Sequence, residues 1–425
     1  MKARNLILVG AATALFLAGG LLAPTDPSYP DSSNVQTVDR AAESIPLFEA
    51  RAALDPNAVD LTLVAQLYER DSRETGDLRS LQRAEEAASR AIGLNPEYAP
   101  AQLALASAYF SQHRFSEASA VAQEANRLDP KLGGLALQAD VMVATGSYEA
   151  AADLYERAEA YAASPGLQAR LAYLEELHGE VDQALLHMKL AAVADLGAGS
   201  GGEQAAWYQV RLGDLEFVRG DLAEADRRYQ AALVIFPNYY IALAARGKVA
   251  AAKGTVSAAI SFYEQAIAVI PRPEFLAAVG DLYTRNGDDE RAADSFATVE
   301  AIASLSDGVY DRALSLFFSD HGRPAEALDL AEDGLATRHD IYAFDAKAWA
   351  LYRSGRHQEA CQVIEPALAL GSVDPVLRYH AGAIFLACDQ VDRGRAELQT
   401  ALERNPEFHP VFAGEAKALL QGTDW

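Results

Sequence analysis

The stretch VGDLYTRNGDDERAADSF, residues 279–296, decides the fold of this chain. Gly287 follows an apolar helical pattern and supplies the left-handed backbone with which helices commonly end. Five residues later, Ala292 is small enough to let two helices approach closely, and Phe296 lies one helical turn beyond it on the same face. The stretch therefore predicts a hairpin of two helices with an apolar contact between them.

The same pattern recurs along most of the 425-residue chain. Alanines at the position of Ala292 are spaced by 33 to 35 residues, apart from one interval of 41. These positions are Ala84, Ala118, Ala151, Ala184, Ala225, Ala259, Ala292, Ala327 and Ala360, with Gly394 in the tenth place. Seven have a glycine five residues earlier, namely Gly146, Gly179, Gly220, Gly254, Gly287, Gly322 and Gly355. Five have a helix-stopping proline twelve residues later, namely Pro96, Pro130, Pro237, Pro271 and Pro406.

This pattern resembles the tetratricopeptide repeat (TPR) family, with its Leu-Gly-x-x-Tyr, Ala-x-x-x-Phe and Pro at a 34-residue period. The best local matches are Val279-Gly280 with Tyr283, Ala292 and Phe296, and Leu105-Ala106 with Tyr109, Ala118 and Pro130. The resemblance covers about residues 61–408. In addition, Asp345–Ala360 and the later Tyr379-His380-Ala381-Gly382 look like the C-terminal repeats of large exported bacterial proteins of this type.

The resemblance implies an all-α solenoid, a right-handed superhelix of about ten TPR-like hairpins. One hairpin cannot bury its own apolar faces, so each is expected to touch mainly its neighbours and to share one elongated core. We assign residues 36–60 to an N-terminal capping half-repeat, 61–408 to ten repeats and 409–425 to a C-terminal capping helix. Extra residues in the first repeat lie around Ser72–Asp77, and a glycine-rich insertion near 196–203 accounts for the long interval.

The N-terminus carries the pattern of an export signal. Lys2 and Arg4 precede an apolar run from Leu6 to Ala23, and a polar linker covers residues 24–35. Residues 1–23 are therefore read as a signal peptide or a signal anchor. The apolar run would span about 27 Å as a helix, just short of a bilayer core of about 30 Å, which leaves cleavage and retention both open. We expect an exported protein, periplasmic or extracellular, with anchoring to the inner membrane by residues 6–23 as the alternative to cleavage.

Composition excludes several function classes. The formal charge of -24 argues against a nucleic-acid partner, which requires basic residues to neutralise phosphates. It also argues against attachment to anionic lipid, so membrane contact is expected only through an uncleaved N-terminal segment. The eight histidines are scattered singly and there are two cysteines, so no metal site, cofactor or catalytic residue is predicted. Carboxylate pairs such as Glu85-Glu86 are expected on solvated helix faces.

A concave groove lined by first helices is the candidate binding surface that the family resemblance implies. Aromatic and arginine side chains are the usual anchors of an interface. The corresponding positions here are Trp207, Arg211, Asp214, Lys248, Asp281, Arg312, Tyr342, Asp345, Trp349, Tyr352, Arg353, Tyr379 and His380. The alternative is that Trp349 and Tyr379 fill the core between repeats. The Lys and Asn pattern with which some family members clamp a peptide carboxylate is absent from these positions.

Cys361 and Cys388 are the two cysteines of the chain. The first lies early in the second helix of repeat nine, and the other lies at the end of the first helix of repeat ten. Those helices should be antiparallel neighbours, which places both thiols at the same end of the pair. An oxidising compartment would allow a disulfide between them, and two buried thiols are the alternative.

The sequence thus favours a protein–protein interaction scaffold or assembly adaptor of the cell envelope, with a peptide or helix as its partner. The acidic surface favours a basic segment in that partner. An alternative is a non-catalytic envelope factor for the assembly or transport of metal or polysaccharide components. A less favoured reading is an enzyme, which a deep pocket with converging titratable groups of shifted pKa would support.

Overall fold

The computed structural model describes residues 40–197, 201–305, 308 and 310–422. These residues form 22 helices and no strand. The first eleven are α1 (Ala41–Leu54), α2 (Ala58–Thr75), α3 (Arg79–Leu94), α4 (Ala99–Ser111), α5 (Phe115–Leu128), α6 (Gly134–Ala144), α7 (Tyr148–Tyr161), α8 (Pro165–Leu177), α9 (Val181–Gly197), α10 (Gly202–Val218) and α11 (Leu222–Ile235). The others are α12 (Tyr240–Ala252), α13 (Val256–Val269), α14 (Pro273–Arg285), α15 (Asp289–Ala303), α16 (Asp311–Asp320), α17 (Pro324–Thr337), α18 (Ile341–Arg353), α19 (His357–Leu368), α20 (Pro375–Ala387), α21 (Val391–Arg404) and α22 (Phe412–Gln421).

Helices α2 to α21 pack as consecutive antiparallel pairs, which makes ten hairpins with α1 and α22 at the two ends. The predicted all-α solenoid of about ten hairpins is confirmed. The predicted signal segment, residues 1–23, and the linker, 24–35, lie outside the described residues. So does part of the glycine-rich insertion, between the end of α9 and the start of α10.

The helix ends follow from the repeated residues. The hairpin glycines have φ values between 73° and 83°, and His113 and Asp389 occupy the same position in two repeats with φ of 60° and 62°. The five prolines each follow the residue that caps a second helix. The extra residues of the first repeat lengthen α2 to 18 residues, against 13 in α4. The sequence pattern therefore fixes each hairpin locally.

Packing inside a hairpin depends on small residues opposite large ones. The repeated alanines are buried, and a Cβ added to Gly280 would collide with the ring of Phe296. A Cβ added to Gly213 would likewise collide with the ring of Tyr229. Interiors are close-packed, so a methyl group at either glycine would force the two helices apart.

The solenoid winds tightly enough for distant repeats to touch. Helices α1–α11 form a first turn and α12–α22 a second turn, and their contacts join residues nearly 200 positions apart. Arg40 donates to the carbonyl of Pro237, 197 residues away, at 2.9 Å, and the Ile341 amide donates to the Tyr148 hydroxyl, 193 residues away, at 2.9 Å. The expectation that each unit touches mainly its neighbours is therefore incomplete, because five to six repeats close one turn.

We call this contact between turns the seam. At the seam, loops of the second turn press on the hairpin tips of the first turn. A Cβ at Gly179 would lie 2.7 Å from the carbonyl oxygen of Gly371, and one at Gly220 would lie 2.7 Å from that of Arg404. The side-chain amide of Asn405 donates to the backbone carbonyl of Phe217 at 2.8 Å, and this hydrogen bond is buried. These glycines therefore allow close approach in addition to left-handed backbone.

A disulfide joins Cys361 of α19 to Cys388, the residue that caps α20. Their Cα atoms are 6.7 Å apart, and both residues are buried. The bond links repeats nine and ten at one end of the two antiparallel helices, in the second turn. Within the described ranges, none of the helices combines the length and apolarity that a membrane span requires.

Candidate binding cavity

The first helices of the hairpins surround a cavity of about 800 Å³. Helices α8, α10, α12, α14, α16, α18 and α20 contribute side chains to its wall, together with α17 and α22. The wall spans more than one turn because the seam brings α8 of the first turn beside α20 of the second. The concave side of this solenoid therefore contains a partly open cavity inside the coil.

Seven of the thirteen groove residues line this cavity: Arg211, Asp214, Lys248, Asp281, Arg312, Tyr342 and His380. The other six, Trp207, Asp345, Trp349, Tyr352, Arg353 and Tyr379, lie behind the wall or beside it. Trp349 and Tyr379 are 1% and 3% exposed and belong to the core between repeats. The physical reason is that C-terminal repeats pack against α22, whose Phe412 stacks on Tyr379 with ring centroids 4.6 Å apart.

Several cations of the wall are paired with carboxylates. Arg211 donates to Glu176 and, at 2.9 Å, to Asp214. Burial raises the pKa of Glu176, while Arg211 acts in the opposite direction. Arg272 pairs with Glu274 at 2.6 Å, and Arg338 pairs in the same way with Asp340. A buried charge is tolerated only with such compensation. Of these pairs, Arg211–Glu176 joins two first helices, α10 and α8, and the others are local.

His380 lies between the core and the cavity. Its Nδ1 is 2.8 Å from a carboxylate oxygen of Asp345, and both side chains are 1% exposed. The indole of Trp349 stacks on the imidazole, with centroids 4.1 Å apart and planes 16° apart. The other ring nitrogen, Nε2, is buried without a hydrogen-bond partner in the described part of the chain. Stacking on Trp349 and the Asp345 contact hold the imidazole ring in place.

His321 and Asp320 lie on the same wall, at the end of α16. His321 has Nδ1 2.7 Å from the Phe317 carbonyl and Nε2 3.0 Å from Asp281. Both partners are oxygen acceptors, so both ring nitrogens of His321 donate. Burial lowers the pKa of His321, but the contacts with Asp281 and the Phe317 carbonyl outweigh burial, and the pKa is raised. Burial raises the pKa of Asp320, whose carboxylate accepts from the Trp349 indole at 3.0 Å.

Sequence reasoning missed several wall residues, among them Tyr173, Glu176, Asp320, His321 and His409. Tyr173 could have been found, since it lies six residues before a hairpin glycine, as do Asp214, Lys248 and Asp281. The remaining four lie outside that position, and His409 lies in the loop before α22. The lining residues that the structure describes include neither serine nor cysteine, and no cluster of three or more metal-ligating side chains occurs in the described ranges.

The chain is similar to several solved structures. The human IFIT1 dimer with PPP-AAAA matches with a TM-score of 0.51 at 14% identity, over 78% of each chain. Yeast Tom70 matches with a TM-score of 0.36 at 15% identity, over 90% of this chain and 93% of that one. The APC/C hetero-tetramer Cut9-Hcn1 gives 0.34 at 12% identity, over the same shares of the two chains. No family model and no curated protein sequence matches the chain. With ten hairpins and the IFIT1 match, the fold is that of TPR-type solenoids.

Proposed function

We propose that the chain is a non-catalytic interaction scaffold that holds a segment of a protein partner in the cavity. The supporting observation is the convergence of charged and aromatic first-helix side chains on one space of about 800 Å³. An α-helix with its side chains is about 10–12 Å across, so a segment longer than about two helical turns would overfill this space. A short extended peptide is therefore the favoured occupant, and the acidic exterior favours basic residues flanking it.

The proposed location is the cell envelope. The basis is the export pattern of residues 1–23, which lie outside the described residues, together with the disulfide between Cys361 and Cys388. Disulfides persist mainly in oxidising compartments. Fractionation of cells that express the full chain tests this part: recovery in the cytoplasm with two free thiols would contradict it.

Photo-crosslinking tests the scaffold proposal. A photoreactive residue is introduced at Ala278, on the cavity wall, in the full chain expressed in its native cells. The matched control is Ala268, exposed on the neighbouring helix α13. We expect a protein partner to crosslink from Ala278 and not from Ala268, because Ala278 lines the cavity and Ala268 does not. Recovery of the bait alone from both positions under several conditions, or crosslinking from Ala268 only, would contradict the proposal.

A cavity with converging titratable groups is also the feature that would support an enzyme. Covalent catalysis needs a nucleophile beside a base, and the described lining residues include no serine or cysteine. Four of the lining carboxylates, Glu176, Glu274, Asp281 and Asp320, are held by arginine, histidine or indole partners. Binding is therefore the function that this wall supports best.

A further inference from the structure

The seam joins two different kinds of surface, hairpin tips on one side and loops on the other. Each tip of the first turn meets the loop that follows a second helix five repeats later. A Cβ at Gly76, the tip of repeat one, would lie 2.9 Å from the side chain of Ile270, which follows repeat six. The tip of repeat five, Gly220, meets Arg404 at the end of repeat ten. Tips therefore point one way along the coil, and loops point the other way.

This arrangement leaves one edge of each turn free. In the second turn, no described atom beyond the chain neighbours lies within 4 Å of a Cβ added at four tip glycines. They are Gly254, Gly287, Gly322 and Gly355, and we call this surface the tip edge. In the first turn, the loops after α1, α3, α5 and α7 have no hairpin five repeats before them that could cover them. We call these four loops the loop edge.

We propose that the loop edge of one copy docks on the tip edge of a second copy, so that the coil continues from chain to chain. The supporting argument is continuity, because the same two kinds of surface already fit each other at the seam. In chain order, the loops after α1, α3, α5 and α7 would face Gly254, Gly287, Gly322 and Gly355. The contact is head-to-tail, so a third copy can add in the same way. The inference does not depend on what occupies the cavity.

Asn95, on the loop edge, repeats the geometry of a residue that bonds across the seam. Asn95 and Asn405 cap second helices with φ of -145° and -148°, and each accepts from the glutamate amide two residues on. Asn405 also donates to the carbonyl of Phe217, which accepts from the amide of the tip glycine, Gly220. Asn95 is exposed instead. Its counterpart on a second copy would be the Thr284 carbonyl, which accepts from the Gly287 amide in the same way.

The loop edge also exposes apolar side chains at a repeated position. Leu54, Leu94 and Tyr161 are the last residues of α1, α3 and α7, and they are 88%, 53% and 51% exposed. At the seam, by contrast, the apolar side chains of the loops pack on tips, as Ile270 does on Gly76. Apolar side chains aligned along one edge are typical of an interaction surface. The loop edge therefore resembles a seam without its partner.

Charge distinguishes a second copy from a basic partner. Each copy carries a formal charge of -24, so two copies repel each other, and salt screens that repulsion. Association of copies should therefore become stronger as salt is raised. A basic protein on the same edge would be attracted by the charge, and its binding should become weaker.

Cysteine crosslinking of the full chain tests the contact and its register. Asn95→Cys and Asn286→Cys place one thiol on each edge at exposed positions, and the native cysteines are bonded to each other. Mild oxidation of a mixture should give at least about five times more crosslinked dimer than either variant alone, because like edges do not meet. Glu86→Cys, exposed on α3, replaces Asn95→Cys as the control and should give background yield. Lys253→Cys, at the preceding tip, should crosslink less to Asn95→Cys than Asn286→Cys does.

Sedimentation of the full chain measures the strength of association, in a nonionic detergent that keeps residues 6–23 from associating. Leu94→Lys should weaken self-association at least about fivefold, because the contact would bury an ammonium group. Leu186→Lys is the matched control, since Leu186 is 52% exposed within α9 and away from both edges. It should change the association constant less than about twofold.

Four results would overturn the inference. They are a monomeric chain at about 0.5 mM in high salt, association that weakens with salt, equal effects of the two lysine substitutions, and thiol variants that crosslink to themselves as well as to each other. Crosslinking of Asn95→Cys in native cells to another protein, and not to a second copy, would also overturn it.

Discussion

The hairpin glycines of the two turns hold the same sequence position and nearly the same backbone angle, yet their surroundings differ. Gly179 and Gly220 of the first turn have φ of 78° and 83° and lie against backbone oxygens of the second turn. Gly287 and Gly355 of the second turn have φ of 75° and 74° and nothing within 4 Å of an added Cβ. Glycine therefore provides the left-handed backbone in all four hairpins. At Gly179 and Gly220 its missing side chain also leaves room for the second turn.

The largest expected effect is steric. Gly220→Ala should destabilise the protein by about 4 kcal/mol, because strain at positive φ adds to a clash with the Arg404 carbonyl. Gly287→Ala, with the strain but no clash, should cost about 1–2 kcal/mol. Urea unfolding followed by circular dichroism measures both. Equal losses in the two variants would mean that the turns do not press on each other in solution.

The disulfide provides a contrast between the turns. Reduction, or the double variant Cys361→Ala with Cys388→Ala, should destabilise the C-terminal repeats by about 3 kcal/mol. Without the crosslink, the unfolded chain gains conformational entropy. Hydrogen exchange resolved along the chain should show faster exchange in α18–α22 and little change in α2–α7. Uniform acceleration in both regions would show that the coil unfolds as one unit and that its turns are not separable.

Asn405 and Asn95 form a matched pair at the end of second helices. Each is followed by Pro-Glu, and each accepts from the glutamate amide, at 3.0 Å for Asn405 and 3.2 Å for Asn95. Only Asn405 also donates across the seam to Phe217. Asn405→Ala should therefore cost about 1.5 kcal/mol more than Asn95→Ala, because a buried hydrogen bond across the seam is lost while the Phe217 carbonyl still accepts from the Gly220 amide at 3.0 Å. A difference in unfolding free energy below a few tenths of a kcal/mol would show that the hydrogen bond from Asn405 to Phe217 does not stabilise the seam.

The two turns should also differ in the sign of their pH dependence. Burial raises the pKa of Glu69 on α2 to about 7, against an opposing effect of Arg73. The protonated form is favoured in the fold, so its stabilisation is present below pH 4.5 and is lost as pH rises through 7. In the second turn, the lowered pKa of His409 makes stability fall as pH drops below 6.5 towards 3.

Glu69→Gln tests the first-turn side of this contrast. The variant should be more stable than the parent by up to about 3 kcal/mol at pH 8 and should differ little at pH 4. The same substitution at the exposed Glu86 of α3 controls for the removal of one charge. Thermal unfolding across pH 4–8 measures both, and a pH-independent gain in Glu69→Gln would rule out the buried carboxyl as its source.

Much of the fold follows from local pattern, because a hairpin is specified by residues within about 34 positions of one another. Ala292, Phe296 and Gly287 therefore predict their hairpin correctly from sequence. The winding is different: it is a sum of small rotations between successive repeats, and no single residue encodes it. Gly220 and Gly287 have the same sequence signature, so the seam cannot be recognised from either of them.

The candidate site shows the same division. Residues six positions before a hairpin glycine, such as Asp214 and Lys248, line the cavity, because helical periodicity fixes which face they occupy. Trp349 fits the same spacing but is buried, since α22 and the last repeats pack over it. His409 comes from an irregular loop that no repeat pattern describes. Long-range packing, and not local periodicity, decides these cases.

The seam also limits modularity. In a solenoid that touches only its neighbours, a repeat can be removed and the remaining units still fit together. Here, removal of one repeat between Tyr148 and Ile341 would preserve every neighbour contact and shift each contact between turns by one unit. The loops that fit against Gly179 and Gly220 would then meet other tips. The number of repeats is thus part of the tertiary structure, and the array behaves as a coil of fixed count and not as an extendable series.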